Sequence, residues 1–346
     1  MSAPVSGSRT KGSDVVAEYA EIWAPASLSN LGPGFDVLGV ALADVGDTIV
    51  ARRADASGVA IGRVDPAGSV PDDSESNTAA VAAMRVLEGG DASFGVRLDL
   101  NKGVRPGSGL GSSAASAVAA AVATGLLCGL NKHDPRVLDA ALTGESRASG
   151  AVHGDNVIPS LSGGFCLVNP VDPFEYRRIE VPGDVWIAVV LPDVPVLTRE
   201  ARSLLPGSVA LGDAVRHAGC LAFLLDSLRS GDLQAVGRFI MSDEIVEPRR
   251  AQLLPAYSAI RAAALESGAF GCSLSGSGPA MFAIADSEAA SEVILNGMRQ
   301  AAGGDHVAGL VTTVDRAGAR QVPAEVARPG LSDADLPPHG TFQRNA

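Results

Sequence analysis

The stretch from 94 to 127 constrains this chain most. Phe94–Leu100 alternates apolar and polar residues, the pattern of a half-buried strand. A glycine-rich loop follows over 103–112. Ser113–Leu127 is then almost wholly Ala, Val and Leu with Ser, which predicts a helix buried on every side. Glycines in such a loop let the backbone turn tightly and aim successive N–H groups at one point. The helix start adds its own unpaired N–H donors and a partial positive charge. Together they make an anion cradle.

The cradle runs through Arg105, Pro106, Gly107, Ser108, Gly109, Leu110 and Gly111. Ser112, Ser113, Ala114 and Ala115 then open the helix. Ser112 and Ser113 can hydrogen-bond a phosphate or reach a metal, and Lys102 lies close enough upstream to neutralise phosphate charge. The loop is not of the Walker A type, because no Lys-Ser/Thr follows its last glycine. Gly109 to Ala114 fits the loose dinucleotide pattern GxGxxA. Yet no acidic residue falls between Ala114 and Lys132 to hold a ribose, and a helix rather than a strand follows the first helix. A plain strand-to-helix turn without ligand remains as the simpler alternative to phosphate binding.

With 346 residues, the chain exceeds the ~250–300 at which single cores stop growing, so two domains are expected. Hydrophobic residues make up 46% and charged residues 19%, which excludes a disordered chain. The formal net charge of −12, with no basic run, argues against a nucleic-acid partner. Cys128, Cys166, Cys220 and Cys272 form no CxxC and read as reduced thiols in a cytoplasmic protein. Residues 1–17 lack the apolar core of a secretory signal. Ser116–Leu130, the longest small-apolar stretch, is too short to span a bilayer, so no membrane partner is expected.

Elsewhere, strands are expected at Glu21–Ala26, Asp47–Arg53, Phe165–Val168, Val185–Leu191, Cys272–Leu274, Ala280–Ala285 and Val307–Val314. Helices are expected at Asn77–Leu87, at Pro135–Ser149 behind an Asp134 cap, near 209–229, 232–241 and 250–267, and at 287–301. Residues 27–36 read as a turn-rich segment. Residues 1–19 and 321–346 read as flexible ends. Strands and helices mix without regular alternation, which points to an α+β fold with antiparallel pairs.

Four segments in order carry a family resemblance. Pro25-Ala-Ser-Leu-Ser-Asn-Leu-Gly-Pro-Gly-Phe-Asp36 comes first, then the loop at 105–115. His153-Gly-Asp-Asn156 with Ser162-Gly-Gly-Phe165 is third, and Ser273-Leu-Ser-Gly-Ser-Gly-Pro-Ala280 is fourth. Together they resemble the GHMP small-molecule kinases, and the first and third are most similar to the homoserine kinase branch. The chain departs from the family where Arg105 stands in place of a frequent proline.

The resemblance implies a ribosomal-protein-S5-like β/α ATP-binding domain over 20–180 and a ferredoxin-like α+β domain over 181–320. It implies ATP as phosphate donor and Mg²⁺ held by Ser113 and Glu145. Asn77 would lie near adenine, and Gly276, Ser277 and Gly278 would support the nucleotide loop. The implied acceptor is homoserine. Its carboxylate would meet Arg202 and Arg250, with Arg249 as the neighbouring alternative. Asp36 and Asp155 would take its ammonium, His153 would be a further contact, and Asn30 would orient the hydroxyl. Read without the family, Asn30 and Asp36 suit turns, Glu145 a solvated helix face, His153 a structural position and the arginines surface ion pairs. Asn156 cannot accept a proton, so transfer without a dedicated base is implied, with Lys102 stabilising the transition state. A homodimer is likewise implied. Two rival functions stay open: a GHMP kinase for another small alcohol, and a non-catalytic nucleotide or amino-acid sensor.

Overall fold

The computed structural model describes residues 17–66, 69–90, 92–150 and 152–323. Two long strands, β1 (Tyr19–Asn30) and β2 (Gly34–Ala54), pair antiparallel around a turn at 31–33. The segment 27–36 expected as a turn is therefore mostly strand. Its turn residues are confined to the tip because Ala26 and Leu28 alternate into the core. β3 (Val59–Asp65) was not foreseen; it joins β4 (Gly95–Asn101) in the one parallel pair among the described residues of the sheet. Between them α1 (Thr78–Gly89) starts at Asn77, whose side chain accepts from the amides of Ala79 and Ala80.

α2 (Ser112–Leu127) is the expected interior helix, with all but two of its residues buried. It packs against α1, α3 (Pro135–Ser149) and β1. Its many Ala side chains let those neighbours approach closely. In such a dense interior an added side chain costs about 1–3 kcal/mol. The Asp134 cap and the Pro135 start of α3 fall where the sequence places them. α4 (Val157–Ser162), β5 (Phe165–Val168) and β6 (Tyr176–Ile179) complete the first unit, with β5 bridging β2 and β6.

The second sheet begins at β7 (Trp186–Leu191). Five helices follow: α5 (Thr198–Ser203), α6 (Leu211–Ser230), α7 (Leu233–Ile240), α8 (Glu247–Arg250) and α9 (Tyr257–Glu266). Then come β8 (Gly271–Leu274), β9 (Met281–Ala285), α10 (Glu288–Ala302) and β10 (Ala308–Thr312). The order β10-β7-β9-β8, antiparallel throughout, is ferredoxin-like. The chain is thus α+β, as expected. It then returns to the first sheet, where β11 (Arg320–Gln321) pairs with β1. This corrects both expected ends: Tyr19 and Gln321 belong to the sheet. The remainder of those end segments, 1–16 and 324–346, lies outside the described residues.

Cys166 and Cys272 are buried and Cys128 and Cys220 half-buried, all unpaired. Burial pushes the Cys166 thiol up to about 12. No helix among the described residues is long and apolar enough to cross a membrane.

Candidate active site

An open cleft of about 440 Å³ lies where the two sheets' loops meet, within the size range of small-molecule sites. The glycine loop forms one wall. Gly109 and Gly111 hold φ of +83° and +62°. A Cβ on Gly111 would stand 2.3 Å from Ser27 Oγ, and one on Gly109 2.8 Å from the Ser275 carbonyl. Only glycine permits this path. As a result the amides of Gly109, Gly111, Ser112 and Ser113 find no acceptor among the described residues. They stand at the positive end of a sixteen-residue helix, as a cradle for anions requires.

The glycine motif of the second unit locks this loop in place. Ser275 Oγ donates to the Gly109 carbonyl (2.6 Å), and the Ala280 amide donates to the Ser108 carbonyl (3.0 Å). Gly276 and Ser277 line the cleft, whereas Gly278 meets only the back of the loop.

Beside the cradle, Glu145 projects from α3 and Ser113 from α2. Burial lifts the Glu145 carboxyl to about 7, and a hydrogen bond with the Ser113 hydroxyl partly offsets the rise. Among the described residues no group of three or more His, Cys, Asp or Glu could hold a metal. A carboxylate and a hydroxyl at the edge of a phosphate cradle nevertheless fit Mg²⁺, which keeps waters and takes phosphate oxygens for the rest.

The opposite end of the cleft gathers charge. Arg202 on α5 grips Asp36 through three hydrogen bonds of 3.0–3.2 Å. His153 Nδ1 is 3.6 Å from the same carboxylate, and burial lowers the imidazole pKa. Arg250 on α8 is 4% exposed, donates to the Gly276 carbonyl (2.8 Å) and leaves Nε without an acceptor. Its neighbour Arg249 bonds the Ile245 carbonyl and lies outside the cleft. Of the two, Arg250 is the one that lines the cleft. The Phe35 ring stacks beneath both Arg202 and Arg250, at 5.4 and 5.0 Å. Asp155 is 4% exposed. Burial and the facing Asp36 push its carboxyl to about 7, against a hydrogen bond from Ser29.

Several expected site residues have their side chains engaged elsewhere. Asn77 is not in the cleft: its carbonyl oxygen caps α1 and its amide bonds Pro71, so both polar ends are engaged. The Arg105 side chain turns outward to Asp193. Leu110, Ala114 and Ala115 point into the core. Lys102 borders the cleft, but its ammonium is buried against Asp47, Ser116 and the Ser112 carbonyl. Asn30 sits at φ +74° and clamps the Gly276 carbonyl to the Asp36 amide, leaving one N–H of its own over.

Sequence reasoning missed Ser29, Phe35, Asp47, Ser116 and Thr198. Ser29 and Phe35 sat inside a quoted motif. The others carried no local signal, because their partners are remote in sequence.

A cradle of free amides, a carboxylate–hydroxyl pair beside it and a zwitterionic cluster across the cleft define an ATP-dependent small-molecule kinase. Residues 77–164 match the GHMP kinases N terminal domain and residues 224–313 the GHMP kinases C terminal. The homoserine kinase of Pyrococcus abyssi is 41% identical over 77% of this chain and 87% of its own length. That of Pyrococcus furiosus is 41% identical over 77% and 88%. The crystal structure of homoserine kinase from Cytophaga hutchinsonii superposes with a TM-score of 0.83 at 36% identity, covering 91% of this chain and all of that one. The chain belongs to the homoserine kinase family of GHMP kinases.

Proposed function

We propose that this protein transfers the γ-phosphoryl group of ATP to the side-chain hydroxyl of L-homoserine, giving O-phospho-L-homoserine and ADP for threonine synthesis. One observation carries the reading. The same cleft holds an anion cradle at one end and paired guanidinium and carboxylate groups at the other, spaced across a single ligand-sized volume. The nucleotide phosphates take the amides of Gly109 to Ser113. The base lies toward Val70, Pro71 and Ala148, the apolar side of the cleft. Nucleotide contacts thus come mainly from the unit 20–180, and the unit 181–320 closes over them.

Arg202 and Asp36 pair with each other. A zwitterion exchanges that pair for two of its own: its carboxylate takes Arg202 and Arg250, and its ammonium takes Asp36 and Asp155. Neither charge need be left bare, which limits the desolvation cost. The free N–H of Asn30 orients the hydroxyl.

The hydroxyl oxygen attacks the γ-phosphorus as the bond to the β–γ bridging oxygen breaks, and the hydroxyl proton leaves late, without a dedicated base. The loop amides meet the charge that develops on the transferred group. Ser113 and Glu145 would hold Mg²⁺, which screens phosphate charge. A second reading has Asp155 accept the proton, since its carboxyl stands near neutrality. Asp155→Asn separates the two: kcat falls if Asp155 is the base, and only KM for homoserine rises if it is a contact. The protein works as a homodimer in the cytoplasm.

The deciding experiment measures ADP release with homoserine, serine, threonine and mevalonate. Homoserine should give the highest kcat/KM. Preference for another alcohol would reject the acceptor, and no turnover with any would favour a sensor.

A further inference from the structure

Beneath the phosphate loop lies a charged cluster that the proposed chemistry does not use. The Lys102 side chain is 2% exposed and that of Asp47 is fully buried, and the two form an ion pair. An ammonium has three N–H donors. Here all three are engaged: by Asp47 Oδ2, by the Ser112 carbonyl (3.0 Å) and by Ser116 Oγ (2.7 Å). Asp47 is equally committed. Its Oδ2 also accepts from Ser116 Oγ (2.7 Å), and its Oδ1 accepts from the Val104 amide (3.0 Å). The cluster carries no net charge, and its charged ends are mutually hydrogen-bonded.

Its members come from three places: Asp47 from β2, Lys102 and Val104 from the segment leaving β4, and Ser112 and Ser116 from the first turns of α2. Val104 and Ser112 bracket the loop, and the Ser112 hydroxyl bonds the Val104 carbonyl (2.8 Å). The two ends of the loop are therefore tied to one buried pair. We infer that Asp47 and Lys102 act as a single positioning unit, fixing both ends of the loop so that its amides converge, and that Lys102 makes no contact with phosphate.

Geometry carries this assignment. A lysine beside the positive end of a helix is electrostatically unfavourable on its own. With Asp47 in place the pair adds no net charge to the cradle, so what it supplies is shape. Buried pairs of this kind act together, and removing one partner leaves the other uncompensated.

The inference rests on the kinase reading, and the test separates the two. The full chain is titrated with mant-ADP, and unfolding midpoints are recorded alongside. The variants are Asp47→Asn, Lys102→Met, the double substitution and Ser116→Ala. Each single charge variant should weaken binding about 10-fold or more, and the double should bind no more weakly than the worse single. The salt dependence of affinity should be the same in Lys102→Met as in the parent, since buried pairs are little screened. Ser116→Ala keeps both charges and removes the shared hydroxyl. It should still fold and weaken mant-ADP binding severalfold, which decides the matter if the charge variants do not fold.

Additive losses with a shallower salt dependence in Lys102→Met would make Lys102 a phosphate contact and overturn the inference. Unchanged binding in Ser116→Ala would do the same. If the parent protein itself binds no mant-ADP, the kinase reading falls and takes this inference with it.

Discussion

Glu145→Gln should make the protein more stable and nearly inactive. In the unfolded chain this carboxyl titrates near its ordinary 4.5, and in the folded protein near 7. Below 4.5 both forms are protonated and burial of the acid costs nothing extra. Between the two values the folded protein keeps a proton that the unfolded chain has released, so stability falls as pH rises. Above 7 the whole difference applies, roughly 3 kcal/mol. Glutamine has nothing to ionise and can keep the hydrogen bond to Ser113. At about pH 8.5 the variant should therefore be more stable by up to about 3 kcal/mol, and at about pH 4.5 equal to the parent. For domains of 150–250 residues this corresponds to about 6–12 °C in the unfolding midpoint. Paired thermal melts at the two pH values read the effect directly. Loss of the carboxylate should also lower kcat by about 100-fold or more, as for other charged transition-state contacts. A stability difference that is the same at both pH values, or of opposite sign at high pH, would refute the reasoning.

Three further outcomes are expected. Arg250→Met should raise KM for homoserine by about 100-fold with little change for ATP, whereas Arg249→Ala should leave both within about 2-fold; steady-state kinetics distinguish them. Gly111→Ala should raise KM for ATP by about 10-fold and lower stability by about 1–3 kcal/mol, measured by nucleotide titration and denaturation, because its Cβ meets Ser27 and Asn156. The kcat/KM for homoserine should climb as pH rises through about 7 while Asp155 and Glu145 gain their charges, and Asp155→Asn should make that rise shallower, leaving the share due to Glu145.

How much was legible depended on range. The α2 helix, its glycine loop and the Asp134 cap of α3 were plain in sequence because each is set by neighbours within a turn or two. Arg250, Asp36 and Asp155 were reached only through motif resemblance, since nothing local marks a buried arginine. The ion pair of Lys102 was hidden for a physical reason. Proximity to a phosphate loop suggested a phosphate contact, whereas the carboxylate it pairs with, Asp47, is 55 positions away on another strand. Asn77 caps α1, which occupies the side chain that the family analogy had placed near adenine. The short strands β3, β6 and β11 escaped notice because almost none of their residues is buried, which blurs the alternation that betrays a strand.

The return of β11 to β1 has a practical corollary. The polypeptide is a clasp rather than a string of two beads, because its last described strand completes the sheet that its first described strand began. A gene cut near 180 would yield a front half missing its edge strand and a back half carrying that strand with nothing to seat it. Split-protein or domain-swap engineering should therefore carry residues 313–323 with the front half, grafted beside the Tyr19 end, rather than follow the linear order of the chain.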